Sequence, residues 1–170
     1  MKKPFLVRSL IILTLVLLNA GCDQVSKSIV RERVAYHEEI ELLTSRVILT
    51  KVENTGAFLS LGSTLPPFAK SLVLLVLPVI VMLISLAFVL LNRGIHRVML
   101  VGLCFIIGGG IGNTVDRIAY GSVTDFLHID FMLFRTGIFN FADVSITLGV
   151  IATLIAYYRT SGELGAVEKP

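Results

Sequence analysis

"SLVLLVLPVIVMLISLAFVLL", Ser71–Leu91, is 21 residues long and carries no charge. At about 1.5 Å of rise per residue, such a run crosses the roughly 30 Å hydrocarbon core of a bilayer. It decides the class of protein. Pro78 lies inside the run; a membrane helix tolerates a proline when neighbouring groups satisfy the freed backbone carbonyl. Downstream, Val98–Val115 gives 18 uncharged residues between Arg97 and Asp116. The outermost runs are shorter: 14 uncharged residues separate Arg8 from Asp23, and 15 run from Val144 to Tyr158. To span, each of these helices must take in an aspartate, Asp23 in the first and Asp143 in the last. The expected spans are about 6–26, 69–91, 98–115 and 138–158, in one membrane domain covering 1–170.

The bulk properties agree. Of 170 residues, 55% are hydrophobic and 16% charged, with a mean hydropathy of +0.86, too apolar for a soluble domain. The formal charge of +3 comes with no basic stripe interleaved with aromatics, which argues against a nucleic-acid partner. Cys22 and Cys104 form no CxxC pair, and His37, His96 and His128 are scattered, so neither a disulfide framework nor a metal site is expected. Lys2, Lys3 and Arg8 precede the first span, Arg93 and Arg97 fill the short second loop, and Arg159 follows the last span. The positive-inside bias puts both termini in the cytoplasm. The loops at about 27–70 and 116–138 then face outward. In the first of these, about 37–63, apolar residues alternate at Ile40, Leu42, Val47 and Leu49, predicting a small sheet resting on the membrane.

Depth organises the acids. Arg97 to Asp116 is 19 helical steps, roughly 29 Å, and Arg159 back to Asp143 is 16 steps, roughly 24 Å. Asp23, Asp116 and Asp143, with Asp125 from the third loop, therefore converge near one plane at the outer face. Ionisable groups in spans are costly and mark function. Asp23 and Lys27 stand i,i+4 in the favoured ion-pair order. Gly109, Gly112, Asn113 and Asp116 share a face, with glycines admitting a close neighbour. Asn140 and Asp143 are i,i+3, with Thr147 a turn below. Asn54 precedes Gly56 in a turn that points a polar side chain toward the same region. There is no GxSxG; Ser26 and Lys27, adjacent in sequence, fall on different helix faces; and Cys22 has no histidine nearby. Paired carboxylates sharing one proton remain, one activating water and the other polarising a carbonyl. Asp143 and Asp125 are the natural pair, and spacing alone leaves Asp116 open as a member. A proton-coupled transporter is the rival reading, but the acids cluster at one face and no internal repeat is visible.

Five blocks, "DQVSK" (23–27), "NTGAF" (54–58), "GGGIGNTVDR" (108–117), "GSVTDF" (121–126) and "FNFADVSI" (139–146), occur in the order found in signal peptidase II, the lipoprotein signal peptidases, and the chain resembles that family. The resemblance implies an all-α membrane protein: four transmembrane helices with a small extracytoplasmic β-cradle after the first. It implies a monomeric aspartic endopeptidase of the bacterial inner membrane, free of cofactors, with Asp125 and Asp143 as its catalytic pair. Asp23, Lys27, Asn54, Gly56, Gly108, Asn113, Asp116, Arg117, Asn140 and Ala142 match the family's supporting residues. The implied substrates are diacylglyceryl-modified prolipoproteins cut just before the lipidated cysteine, among membrane lipids, and the implied inhibitors are globomycin-type cyclic peptides.

"LLNAGCDQVSK", Leu17–Lys27, admits a second reading, as a lipoprotein signal peptide ending at Cys22, which would make this chain a lipid-anchored protein. Asn19 stands where such sites carry an apolar residue, and a helix-compatible segment follows the cysteine in place of a polar linker. The stretch reads instead as the outer end of the first span, bringing Asp23 and Lys27 to the site.

Overall fold

The computed structural model describes residues 3–42, 46–57, 62–132 and 135–167. The elements run α1 (Lys3–Arg33), β1 (Ile40–Leu42), β2 (Val47–Asn54), α2 (Pro67–Leu91), α3 (Arg97–Tyr120), β3 (Val123–Ile129) and α4 (Phe141–Val167). All four helices are long and apolar enough to cross a membrane, and the chain is a multi-pass membrane protein. Each helix exceeds its apolar run. α1 continues unbroken through Cys22 and Lys27 to Arg33, and α4 starts at Phe141, placing Asp143 in its first turn.

Large apolar side chains such as Leu6, Leu17, Leu83 and Ile84 stay exposed. Lipid is as apolar as leucine, so helix association must come from close packing and polar contacts. α3 is the central helix and packs on all three others. Its crossing with α4 is tight at Gly102 and Gly149, where a Cβ on Gly149 would lie 2.5 Å from the Gly102 carbonyl oxygen and 2.9 Å from the Ile106 backbone nitrogen. Both obstacles are backbone, so Gly149→Ala must push the helices apart. Overpacking of this kind costs about 2 kcal/mol, and the melting temperature in detergent should fall by roughly 5 °C. An unchanged melting temperature would refute the close crossing.

α2 is the peripheral span. Pro78 has no N–H to offer the carbonyl a turn earlier, and the preceding residues, Leu72–Val76, form a π-helical turn in which Leu77 N donates to Leu72 O. π-turns of this kind occur often beside functional sites. At its far end Arg8 of α1 donates to the carbonyls of Val89 (2.8 Å), Leu90 (3.1 Å) and Asn92 (2.8 Å). These include orphan acceptors of a helix C-terminus, where a cation is favourable. Ile12, Val16, Val89, Cys104 and Ile107 form the buried core at that end.

The strands form one antiparallel sheet in the order β1-β2-β3. β1 and β2 occupy the segments whose apolar residues alternate in the sequence. The third strand comes from the loop after α3. Val123 to Phe126 are all buried, with no two-residue alternation to betray a strand. Its entry is set by Gly121, which caps α3 at φ 74°, the left-handed region that glycine adopts freely. Leu49 pairs with Leu127 and Val52 with Asp125. Three steps on β2 thus face two on β3, a bulge of one extra residue of the type that re-aims side chains near active sites. The sheet rests on the end of α1 through Val30, Val34 and Phe126.

Candidate active site

The first layer is an ion-pair cluster whose centre, Asp23, Lys27 and Asp116, is fully buried. Lys27 Nζ lies 2.8 Å from Asp23 and 3.1 Å from Asp116, and donates to Asn113 Oδ1 at 2.9 Å. A lysine has three N–H donors, and here all three are used. Asp23 also accepts from the backbone N–H of Ala142 (2.9 Å). Asp116 also takes Gln24 Nε2 (2.9 Å), an ion pair with Arg31 (2.7 Å) and the backbone N–H of Thr124 (3.2 Å). The cluster thereby ties α1 to α3, to the start of β3 and to the start of α4.

The second layer lines a cleft of about 550 Å3. Asp125 and Asp143 both face it; Asp23 and Asp116 do not. Spacing left Asp116 open as a partner, and the geometry separates it, because both of its oxygens are occupied behind the cleft wall. Each oxygen of the two cleft aspartates accepts from an asparagine. Asn54 Nδ2 donates to Asp125 Oδ2 (3.0 Å) and Asn140 Nδ2 to Asp125 Oδ1 (2.6 Å). Asn113 Nδ2 donates to Asp143 Oδ1 (2.9 Å), and the backbone N–H of Asn140 to Asp143 Oδ2 (3.2 Å). Asn140 Oδ1 in turn accepts from the backbone N–H of Asp143 (3.0 Å). Asn140 and Asp143 are therefore a reciprocal capping pair at the start of α4; the expectation of two side chains on one helical face gives way to a cap and its partner. Phe139 exchanges backbone hydrogen bonds with Leu127 (2.8 and 2.9 Å), which delivers Asn140 from the sheet edge directly beside Asp125.

Asn54 Oδ1 accepts from Gly56 N–H (2.9 Å), the expected turn, and Arg117 clamps that turn through the Gly56 carbonyl (2.8 Å) and also reaches the Asn113 carbonyl (3.3 Å). Phe58, the last residue of the "NTGAF" block, lies outside the described residues. Ala142 contributes its N–H to Asp23. Gly108 faces Val16 and Asn19 of α1, where it permits helix contact and adds no polar group to the site.

Five contributors escape the sequence reading. Gln24 and Arg31 hold Asp116 from α1, and Arg31 stacks 4.0 Å over the Tyr120 ring. Thr124 accepts from Arg31 (2.9 Å) and donates to Glu53 (2.8 Å), which Ser122 also engages. Arg31 had a visible signal, one turn beyond Lys27 on the face of Asp23. Glu53 and Thr124 are neighbours of motif residues in sequence, and only the strand pairing brings them together.

Charge balance constrains the protonation. Asp23, Asp116, Asp125 and Asp143 oppose Lys27, Arg31 and Arg117, so one shared proton makes this group neutral. Burial pushes the Asp125 carboxyl up to about 6, with the Asp143 charge adding to the rise and the Asn54 and Asn140 hydrogen bonds opposing it. The rest of the cleft is mostly apolar, with Val73, Leu74 and Pro78 from the π-turn region of α2 and with Ile138 and Ile146, while Thr114, Thr147 and Arg117 also line it. The site thus sets two carboxylates beside a largely apolar wall. Among the described residues, no three His, Cys, Asp or Glu side chains are grouped to hold a metal ion.

A family model described as signal peptidase (SPase) II matches residues 14–159. A lipoprotein signal peptidase of Streptococcus pneumoniae is 34% identical over 149 residues, covering 88% of this chain and 93% of that protein. One from Enterococcus faecalis is 36% identical over 135 residues, covering 79% and 80%. A solved bacterial membrane enzyme superposes with a TM-score of 0.79 at 24% identity, covering 89% of this chain and 90% of its own, which bears on the fold alone. With the matched region containing Asp23, Asp116, Asp125 and Asp143 and reaching into every membrane helix, the chain belongs to the signal peptidase II family of proteases.

Proposed function

We propose that this protein is an aspartic endopeptidase that removes signal peptides from diacylglyceryl-modified prolipoproteins, cutting just before the lipidated cysteine, with Asp125 and Asp143 as the catalytic groups. The observation that carries the reading is the pair of asparagine-held aspartates facing one apolar-walled cleft. The basic residues at the start of α1 (Lys2, Lys3, Arg8), at the turn from α2 into α3 (Arg93, Arg97) and late in α4 (Arg159) support cytoplasmic termini and a site near the outer face.

In this mechanism the signal peptide enters from the bilayer beside α2, its lipid remaining among the acyl chains. The scissile carbonyl sits between the two aspartates. The shared proton rests on Asp125, the carboxyl raised by burial, which hydrogen-bonds the carbonyl oxygen. Asp143, ionised, takes a proton from water as the water oxygen bonds to the carbonyl carbon. As the C–N bond breaks, a proton passes to the leaving amine. One water is consumed, and no covalent enzyme intermediate forms. Asn54, Asn113 and Asn140 keep the carboxylates in place.

The test is cleavage by purified protein in micelles of a prolipoprotein with and without its diacylglyceryl group. Only the lipidated form should be cut, and equal cleavage of both would refute the substrate assignment. The pH profile follows from the site. Asp125 must hold the proton, so kcat/KM falls as pH rises through the value for Asp125 in the free protein, about 6. The limb in kcat lies higher, because the bound chain removes water. Asn54→Ala deletes a hydrogen bond that favours the ionised form and should move the limb upward; a downward move would contradict the assignment of the proton.

A further inference from the structure

At the end of the bundle opposite the aspartates, the described side chains carry positive charge and, among them, no carboxylate meets it. No Asp or Glu occurs in residues 1–22, 54–115 or 144–162, and the next acids along the chain are Glu163 and Glu168. Three arginines, Arg8, Arg93 and Arg97, rim a groove of about 800 Å3 between the start of α1 and the start of α3. Arg8 is committed to the carbonyls at the end of α2. Arg93 is exposed and sits 5.2 Å over the Phe5 ring, a contact that places its guanidinium without neutralising it. Arg97, the first residue of α3, is also exposed. Below this rim the walls are apolar: Val7, Ile11, Leu15, Ile95, Leu100 and Val101.

A second, smaller trough of about 290 Å3 shares Val7, Ile11 and Leu15 and adds Leu10 and Thr14. At 100° per residue, Leu10 and Thr14 lie on one side of the Val7–Ile11–Leu15 line and Arg8 and Ile12 on the other. The three shared residues therefore form a ridge along α1 with a trough on each flank.

We propose that this end of the protein holds one anionic diacyl phospholipid, its phosphate between Arg93 and Arg97 and its two acyl chains on either side of the Val7–Ile11–Leu15 ridge. Charge complementarity selects the headgroup. Two guanidinium groups without a carboxylate partner among the described residues suit a phosphate, and the described residues of the region offer no carboxylate for the ammonium of a zwitterionic lipid. The troughs run along a membrane-spanning helix, which selects acyl chains over a peptide. A topology signal needs cations in the loop; it does not need them on the rim of an apolar groove.

Native mass spectrometry of the full chain tests this, using neutral-detergent micelles with equal phosphatidylglycerol and phosphatidylcholine of matched acyl chains. The wild type should retain one phosphatidylglycerol, preferred on the order of tenfold. Arg93→Gln/Arg97→Gln should reduce the preference to about twofold or less, while Arg93→Lys/Arg97→Lys, which keeps the charge and the topology signal, should retain most of it. Val101→Trp leaves all three arginines and fills the groove, and it should lose the retained lipid. Prolipoprotein cleavage, unchanged in each variant, serves as the control for folding. Retention of both lipids equally by the wild type, persistence of the preference in the glutamine variant, its loss in the lysine variant, or an unaffected Val101→Trp would each overturn the proposal.

Discussion

Asp143→Asn should abolish cleavage, a loss of roughly 10^4-fold, while the protein still folds and inserts. The size follows from what is lost. In the proposed mechanism Asp143 takes the proton from water, and general base catalysis contributes about 10^2 to 10^4; removing its charge would also end the sharing of a proton with Asp125. The sparing of the fold follows from the surroundings. An asparagine is nearly isosteric, and its carbonyl oxygen can still accept from Asn113 Nδ2 or cap with Asn140. Asp143 takes no part in the ion pairs of Lys27 and Arg31. Cleavage of a lipidated prolipoprotein, read beside the melting temperature, checks both halves. Substantial residual activity in a folded Asp143→Asn, or equally in Asp125→Asn, would rule out the dyad.

The second large effect is on stability. Lys27→Met leaves Asp23 and Asp116 buried without the cation they share. Breaking a buried pair from one side costs about 3–5 kcal/mol, a large part of the roughly 5–15 kcal/mol that holds a domain folded. The variant should accumulate poorly and melt far below the wild type. The loss also reaches the cleft, because Lys27 holds the Asn113 carbonyl and so turns the Asn113 amide toward Asp143. Whatever folded Lys27→Met is recovered should therefore cut slowly. Adding Asp23→Asn removes one stranded charge and should restore part of the stability, a coupling that contact requires. If the single variant melts like the wild type, the cluster is not what ties the helices together.

Much of this was legible from sequence because the membrane simplifies the problem. An uncharged run such as Ser71–Leu91 has one structural outcome in lipid, and each aspartate's depth follows from counting residues to an arginine. The pairing of Asp23 with Lys27 was visible as helical spacing. Three things were hidden. β3 is buried on both faces, so the strand that carries Asp125 shows no alternation. Asn140 lies just ahead of its helix, and periodicity cannot distinguish a cap from a first-turn residue. The division of four converging aspartates into a scaffold pair and a cleft pair depends on the direction of each side chain across helices distant in sequence, which spacing along one helix does not contain.

The hydrogen bond from Ala142 to Asp23 joins residues 119 positions apart, and it has a consequence for biosynthesis. A ribosome releases the first helix early and the fourth helix last. Until that last helix arrives, Asp125 lacks Asn140, Asn113 has no Asp143 to hold, and the cleft lacks the wall that Ile146 provides. With the two cleft aspartates catalytic as proposed, the nascent chain passes through the membrane with its proteolytic centre unassembled. A message truncated before the final span should then yield an inert membrane protein rather than an unregulated protease.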